Sequence, residues 1–296
     1  MSRHVTRVKA RLSLAAHRRV LGMLEGAYAA TLTGRSLEFN DLREYVRGDD
    51  PKDVDWKASA RVGQPLVKRF VAQRRHTVVL VVSTGRSMAA AHTLDHAKRD
   101  VAVEVAGIVG WLAVRQGDRV AAAHGHAGGF GFVPPAGREA HLERCLAAAY
   151  DDVRPDGPAS DLVGLLRHVA RTVRRRAIVL VVADEDESTP ELESALRRLA
   201  GQHELLMVSI GDLDPVGVPV GAAPSRDVVA ATVLPDWVRG DPVLLAELTR
   251  DRADRLTRWH GRMADLGVVH EHLGEPGTPL AAVQLLLRRN QHARRR

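Results

Sequence analysis

The chain contains very little cysteine and few aromatic residues. Its 296 residues include one cysteine, Cys145, and 4% Phe, Trp and Tyr. A single cysteine excludes an internal disulfide framework and is typical of a reducing compartment, so we expect a cytoplasmic protein. Hydrophobic residues nevertheless make up 45% of the chain, which predicts a sizeable aliphatic core.

Long hydrophobic runs are also missing. A membrane-spanning helix needs roughly 20 apolar residues. The longest candidate, residues 101–114, is shorter and contains Glu104. The basic amino-terminal segment lacks the apolar stretch of a secretory signal. We therefore expect neither a membrane span nor a secretion signal.

Positive charge is unevenly distributed along the chain, whose formal net charge is +7. Residues 1–76 carry 16 Lys and Arg against 8 Asp and Glu, which leaves 27 against 28 for the remainder. Such a surplus favours an acidic partner or peripheral contact with an anionic membrane, with a solvated face as the plain alternative. Basic and aromatic residues are not interleaved, so no nucleic-acid partner is expected.

Strand-like and helix-like segments alternate from Thr77 onward. Several strand segments are continuous Val, Ile and Leu runs, which is typical of strands covered on both faces. We predict strands at 77–83, 118–124, 177–184, 204–211 and 267–273, an antiparallel edge strand at 128–135, and helices at 93–115, 138–150, 160–174, 191–201, 243–265 and 279–289. This alternation predicts an α/β fold with a mostly parallel sheet and helices on both faces.

The pattern divides the chain at about residue 76. Residues 1–76 do not continue the alternation, and we expect an extension with one helix near 10–30 and short strands. Residues 77–296 form the predicted α/β domain. Its Pro- and Gly-rich segment at 211–242 is expected to be a loop insertion with a short strand at 228–233.

Acidic and basic residues are interleaved within residues 38–61. Clustered carboxylates can form a metal site or an acid–base pair, and the candidates here are Asp49, Asp50 and Asp55. Neighbouring basic residues such as Arg43 and Arg61 instead favour a paired, hydrogen-bonded scaffold. We expect Trp56 to be a packing anchor beneath this scaffold.

The same stretch resembles a known family. The sequence GRSLEFNDLREYVRGDDPKDVDWKASARVGQPLVKRF, with VVLVVSTGRSM after it, closely resembles bacterial domain-of-unknown-function family fifty-eight. Members join a block of the type G-x-x-EF-x-x-LR-x-Y-x-x-GDD-x-R-x-IDW-x-x-x-AR to a von Willebrand factor type A-like domain. Lys52 stands where the family usually has Arg, and Val54 where it has Ile.

The resemblance implies a fold, a site and a partner. A von Willebrand factor A-like domain ends its first strand in D-x-S-x-S, the start of a metal-ion-dependent adhesion site. Here Ser83 replaces the aspartate, Gly85 replaces the first serine, and Arg86 lies inside the motif. Family members are often associated with MoxR-type AAA+ ATPases, which implies an adaptor role.

Three ligand positions of a metal-ion-dependent adhesion site are still matched by this sequence. The resemblance places them at Ser87, at Ser160 on a second loop and at Asp184 on a third. Two hydroxyls and one carboxylate beside a cation are few ligands for Mg²⁺, so we expect a degenerate adhesion site and no cofactor. The P-loop pattern also fails, because Leu80 stands where its first glycine belongs.

The leading hypothesis is a non-enzymatic adaptor that works with a MoxR-type AAA+ ATPase in protein or complex maturation. Its interaction residues are expected to be Ser83, Gly85, Arg86, Arg43, Asp49, Asp55, Trp56 and Arg61. One alternative is Mg²⁺- or Mn²⁺-dependent binding through the three ligand positions. A second is a hydrolase that uses the carboxylates of Asp49, Asp50 and Asp55.

Two histidine pairs are minor zinc candidates. His270 and His272 alternate along a predicted strand and therefore share a face, and His124 and His126 have the same spacing. Neither pair has an evident third ligand, and zinc sites use at least three protein ligands.

Overall fold

The structure is a computed structural model. It describes the chain except for residues 1–2, 16–17, 34–40, 47–53, 55, 70–74, 186–188, 215, 217, 219–225, 234, 236, 238–239, 275–276 and 294–296. The elements in chain order are α1 (Arg3–Ala15), α2 (Arg18–Thr33), β1 (Asp41–Glu44), α3 (Trp56–Val62), β2 (Leu66–Arg69), β3 (Thr77–Ser83), α4 (Lys98–Arg115), β4 (Arg119–His126), β5 (Gly129–Ala136), α5 (Glu139–Asp152), α6 (Leu162–Thr172), β6 (Ile178–Asp184), α7 (Pro190–Gln202), β7 (Glu204–Ile210), α8 (Pro242–Asp265), β8 (Val269–Leu273) and α9 (Pro279–Ala293).

A six-stranded sheet forms the centre of the larger part of the chain, with the strand order β5-β4-β3-β6-β7-β8. All neighbouring strands are parallel except β5, which runs antiparallel to β4 at the edge. The central strands β3 and β6 are buried along almost their whole length, as their continuous aliphatic runs require. The predicted α/β class, the parallel sheet and the antiparallel edge strand are confirmed.

Helices cover both faces of this sheet. The helices α6, α7 and α8 share one apolar core with the inward side chains of the central strands. The helices α4, α5 and α9 pack on the other face, and α1 packs outside α4 and α5. Because α4 lies between the sheet and other helices, 14 of its residues are buried.

The first helices belong to this α/β unit. The described chain divides into two compact units, residues 1–31 with 76–296, and residues 32–75. This division differs from the expected extension over 1–76, and the single helix expected near 10–30 is two helices. The Tyr28 hydroxyl donates a 2.9 Å hydrogen bond to Asp118 beside the start of β4.

Ion pairs fasten α1 to its neighbours. Salt bridges join Arg7 to Asp100, Lys9 to Glu139 and Arg11 to Glu104, at 3.7, 2.6 and 3.0 Å. Burial raises the pKa of Glu104, whereas the Arg11 guanidinium acts in the opposite direction. The basic surplus that sequence counting assigns to the amino-terminal region is thus partly compensated by acids of α4 and α5.

The smaller unit consists of an antiparallel pair and a short helix. Strand β1 pairs with β2, and the Leu66 amide donates to the Ser59 hydroxyl at 2.8 Å. Trp56 begins α3 with 71% of its surface exposed. The prediction that it is a packing anchor beneath the charged scaffold is therefore wrong, because a packing anchor is buried.

The remaining predictions for the smaller unit are only partly covered. Asp49, Asp50 and Asp55 lie outside the described residues. The backbone of Arg43 lies in β1, and Arg61 is exposed at the end of α3. The interaction roles expected of these residues stay predictions.

The segment 211–242 is an extended connection between β7 and α8. Its expected strand at 228–233 is wrong, since the described residues there form a turn and a single bridge between Arg226 and Val233. Among the described residues, no helix combines the length and the apolar composition that crossing a bilayer requires.

Candidate functional site

The carboxyl ends of the parallel strands meet at one edge of the sheet, which we call the upper edge. In open α/β sheets this edge is the usual place for ligands. Ser83 ends β3, Asp184 ends β6, and Gly211 and Asp212 follow β7 directly. The motif residues expected to form a site therefore do lie at the same edge.

The turn after β3 is held by backbone hydrogen bonds to neighbouring loops. The amide of Thr84 donates to Gly125 at the end of β4 at 3.0 Å, and that of Arg86 donates to Pro158 at 2.9 Å. A side chain added at Gly85 would overlap both the hydroxyl and the backbone of Ser160. Glycine stands at the position of the missing serine because the loop before α6 fills that space.

Two of the predicted ligand positions face each other. The hydroxyls of Ser87 and Ser160 are hydrogen-bonded at 2.9 Å. Ser83, at the position of the motif aspartate, is buried. The structure thus brings the two hydroxyls together, as the resemblance implies.

The third predicted ligand, Asp184, forms an ion pair with a buried lysine side chain. Lys98 at the start of α4 places its Nζ 2.6 Å from Asp184 Oδ1 and 2.5 Å from Asp212 Oδ1. The side chain of Lys98 is only 1% exposed. Its ammonium therefore lies between the two carboxylates of the upper edge, where it is shielded from water.

Lys98 reaches this position because the loop before α4 is tied to β7. The amide of Lys98 donates to Ala90, and the amide of Leu213 donates to Ala91, at 2.9 and 2.8 Å. The buried His92 ring donates through Nδ1 to the carbonyl of Gly211 at 2.8 Å. These bonds join the loops after β3 and β7 into one support for the ammonium.

The charges at this site have consequences for cation binding. A divalent cation on Asp184 would compete with the ammonium for the same carboxylate oxygen, and the charge of Lys98 would repel it. Loss of hydration raises the pKa of Asp212, which Lys98 opposes and the neighbouring Asp184 reinforces. Arg252 adds further positive charge, 3.3 Å from Glu185.

Lys98 and Asp212 were missed by sequence reasoning. Asp212 carried a usable signal, because a carboxylate directly after a buried parallel strand must lie at the upper edge. The sequence signal for Lys98 is weaker, and consists only of a lysine at the start of a mostly apolar helix. Neither signal identifies the pair without knowing that β7 lies beside β6.

A second polar cluster lies beneath the turn. Asp152 at the end of α5 accepts hydrogen bonds from the Thr84 hydroxyl at 2.6 Å and from His124 Nδ1 at 2.9 Å. His126 Nε2 lies 3.5 Å from its other oxygen. Burial alone would raise the pKa of Asp152, but these hydrogen bonds and the histidines hold it below its usual value.

The other histidine pair lies on the edge strand β8, with His270 buried and His272 half-buried. His270 and His272 contact the same hydroxyl, that of Ser209, at 2.8 and 3.1 Å. Burial lowers the pKa of His270 to about 3 and that of His272 to about 4. In the described part of the chain, no group of three or more His, Cys, Asp and Glu side chains is arranged to hold a metal ion.

The Arg86 side chain has no hydrogen-bond partner in the part of the chain that the structure describes. Its side chain is half-buried, and its Nε atom is buried without a hydrogen-bond acceptor among the described residues. A buried guanidinium nitrogen without an acceptor has lost its hydration and gained nothing in return.

Comparison with known proteins identifies the family. Residues 41–228 match the family described as protein of unknown function DUF58. The chain belongs to this family. The sequence resemblance to family fifty-eight is thereby confirmed, and the match covers most of the smaller unit together with strands β3 to β7 of the sheet.

Related proteins extend the comparison without adding an activity. Uncharacterized proteins of Mycobacterium bovis and Mycobacterium tuberculosis are 28% identical over 244 residues, which cover 82% of this chain and 76% of theirs. An aerotolerance-related membrane protein from Bacteroides fragilis has a TM-score of 0.45 at 11% identity, covering 73% of this chain and 98% of that one. A von Willebrand factor type A protein from Catenulispora acidiphila has a TM-score of 0.41 at 12% identity, covering 76% of this chain and 44% of that one.

Proposed function

We propose that this chain is a non-enzymatic protein-interaction module whose upper edge carries a built-in cation. The observation that carries the proposal is the ammonium of Lys98, 1% exposed and in contact with both Asp184 and Asp212. In a metal-dependent adhesion site a divalent cation holds the loops in place. Here Lys98 performs that structural task without a metal.

The polar groups of the upper edge support a binding role. The Ser87 and Ser160 hydroxyls are bonded to each other. A nucleophilic hydroxyl in a hydrolase instead contacts a general base that can accept its proton. This pattern favours a rigid recognition surface over a reaction centre.

Arg86 is the proposed contact residue. In a metal-dependent site the cation accepts a carboxylate from the partner, and in this chain the guanidinium of Arg86 takes over that role. A guanidinium and a carboxylate form a charge-assisted pair, which is stronger than a neutral hydrogen bond. The partner surface is therefore expected to present an Asp or Glu side chain.

The proposed partner is a MoxR-type AAA+ ATPase of the same cell, acting with this chain in the maturation of a protein or complex in the cytoplasm. This step rests on the family resemblance. Neither an enzymatic activity nor a bound cofactor is part of the proposal.

Measuring affinity for the ATPase tests this proposal. The ATPase is immobilised with a nucleotide analogue, and wild type is compared with Arg86→Gln. Truncating one partner of a buried charge pair typically costs 2 kcal/mol or more, so we expect binding to weaken by roughly 30-fold. Arg138→Gln is the matched control, because Arg138 is exposed and precedes α5 at the opposite edge of the sheet.

Two results would contradict the proposal. Native-cell pull-downs that never enrich an AAA+ ATPase, with or without nucleotide, would contradict the proposed partner. Equal affinities of wild type and Arg86→Gln for the ATPase would contradict the role of Arg86 as the contact residue.

A further inference from the structure

Seven arginines form a positively charged surface that the proposed function does not use. They lie on α6, on the connection from α6 into β6, and on α7, and we call this surface the arginine edge: Arg167, Arg171, Arg174, Arg175, Arg176, Arg197 and Arg198. All seven are exposed, and none of them forms an ion pair with a carboxylate in the part of the chain that the structure describes.

The fold gathers these arginines near the lower edge of the sheet, where the parallel strands begin. Helix α6 ends at Thr172 before β6, and α7 ends at Gln202 before β7. With a rise of about 1.5 Å per residue, Arg167 and Arg197 lie roughly 7 Å above the ends of their helices. Since packed helices are about 8–10 Å apart, and α6 contacts α7, the surface is roughly 20 Å across.

Few acids lie beside these arginines, and Glu193 on α7 is paired with Arg262 of α8. No Asp or Glu occurs between residues 162 and 183. Two acids of the lower edge are already engaged, since Asp118 accepts hydrogen bonds from Tyr28 and the His76 amide, and Glu204 accepts one from Asn290.

The arginine edge differs in this respect from the basic helix α1. There Arg7, Lys9 and Arg11 each pair with an acid of α4 or α5. A count along the sequence places the positive surplus in residues 1–76. In the fold, no arginine of the arginine edge forms an ion pair with a described carboxylate.

We propose that the arginine edge docks the chain on an anionic membrane by binding lipid phosphate groups. Guanidinium groups bind phosphate oxygens in pairs of parallel hydrogen bonds, and clustered basic residues are attracted to anionic leaflets. The upper edge lies at the opposite end of the strands, so docking through the arginine edge leaves Arg86 and its surroundings accessible.

The chemistry of the surface favours a membrane over other polyanions. A protein partner is normally anchored by large apolar or aromatic side chains, and the described large hydrophobics that are exposed all lie outside residues 162–204. Single-stranded nucleic acid is bound by stacking on aromatic side chains, which this surface lacks. Binding to the phosphate groups of a membrane surface requires only the arginines.

Vesicle co-sedimentation tests this inference. The 296-residue chain is mixed with phosphatidylcholine vesicles, with or without about one-third phosphatidylglycerol, and binding is expected only to the anionic vesicles. Raising the salt from roughly 0.1 M to 1 M shortens the Debye length from about 10 to 3 Å and should release the protein. The variant Arg174→Gln/Arg175→Gln/Arg176→Gln should bind about 100-fold more weakly, since each basic residue near the surface contributes roughly a factor of five.

A matched triple variant distinguishes the effect of the arginine edge from the effect of net charge. Arg250→Gln/Arg255→Gln/Arg258→Gln removes three charges from α8, where acids such as Asp251 and Asp254 are interspersed, and vesicle binding should remain nearly unchanged. Equal weakening by both triple variants would overturn the inference. Duplex DNA that displaces wild type from the vesicles at an equal phosphate concentration would assign the arginine edge to nucleic acid and overturn it too. If the first triple variant fails to fold, Arg197→Gln/Arg198→Gln replaces it.

Discussion

At the scale of single residues, Lys98 decides what the upper edge can bind. Its ammonium is almost completely removed from water and is balanced by two carboxylates, those of Asp184 and Asp212. A lysine in such a position loses hydration, which only a paired geometry offsets. Hydrogen bonds between the loop that precedes Lys98 and the loop after β7 hold this geometry in place.

Replacing Lys98 should both destabilise the protein and change its response to cations. In Lys98→Met, Asp184 loses its charge partner inside the fold, and removing one member of a buried ion pair costs about 3–5 kcal/mol of unfolding free energy. Urea denaturation measures this loss. Lys9→Met, which breaks an exposed ion pair, should cost less than about 1 kcal/mol.

The same variant tests the proposal that Lys98 replaces a metal. Calorimetric titration should show no specific Mg²⁺ binding to wild type and weak binding to Lys98→Met, because the two carboxylates are then uncompensated. Tight Mg²⁺ binding to wild type that disappears in Asp184→Asn would contradict the proposal.

At the scale of elements, α1 shows how a helix is recruited to the sheet domain. Its first backbone N–H groups, those of His4 and Val5, donate to the Glu143 carboxylate of α5 at 2.8 and 2.7 Å. The side chains of Val5, Val8 and Leu12 are buried. An acid on a neighbouring helix thus performs the capping function that a residue before the helix usually provides.

Removing this cap should loosen α1 selectively. In Glu143→Ala the two amides lose their acceptor, and we expect a loss of about 1–2 kcal/mol, as for other helix caps. Hydrogen exchange should become faster over residues 4–12 and remain unchanged in β3 and β6. Glu139→Ala, which removes the exposed pair with Lys9, is the control, and equal exchange in both variants would refute the capping role.

Most elements could be predicted because their signal is local. Strands β3 and β6 are unbroken aliphatic runs, and their limits agree with the expected 77–83 and 177–184 to within one residue. The amino-terminal helices were harder, since α1 is amphipathic but its partner surface lies about a hundred residues away. The isolated bridge between Arg226 and Val233 could not be distinguished from a strand by composition.

At the scale of the whole molecule, stability should depend on pH through buried histidines. Burial lowers the pKa of His270 to about 3 and that of His272 to about 4. Between the ordinary histidine pKa of about 6.5 and these values, the unfolded chain binds protons that the folded chain does not, so stability falls as the pH falls. This loss is complete only when the pH has passed below the folded-state values.

Unfolding experiments at pH 7 and pH 5 measure this dependence. Each of the two histidines should contribute about 2 kcal/mol of destabilisation across this interval. In His270→Gln the loss between the two pH values should shrink by about that amount. His292→Gln changes an exposed histidine and should leave the dependence unaltered, and an unchanged dependence in His270→Gln would contradict the assignment.

The sequence by itself determined the α/β class, the parallel sheet with its antiparallel edge, the family and the position of Asp184 at the end of a strand. Those features follow from local hydrophobic patterns and from a contiguous motif, which do not depend on distant contacts. Only the tertiary structure decided that Lys98 fills the space between Asp184 and Asp212, because three segments far apart in the chain meet there. It also decided where positive charge stays uncompensated, since ion pairing depends on which helices become neighbours.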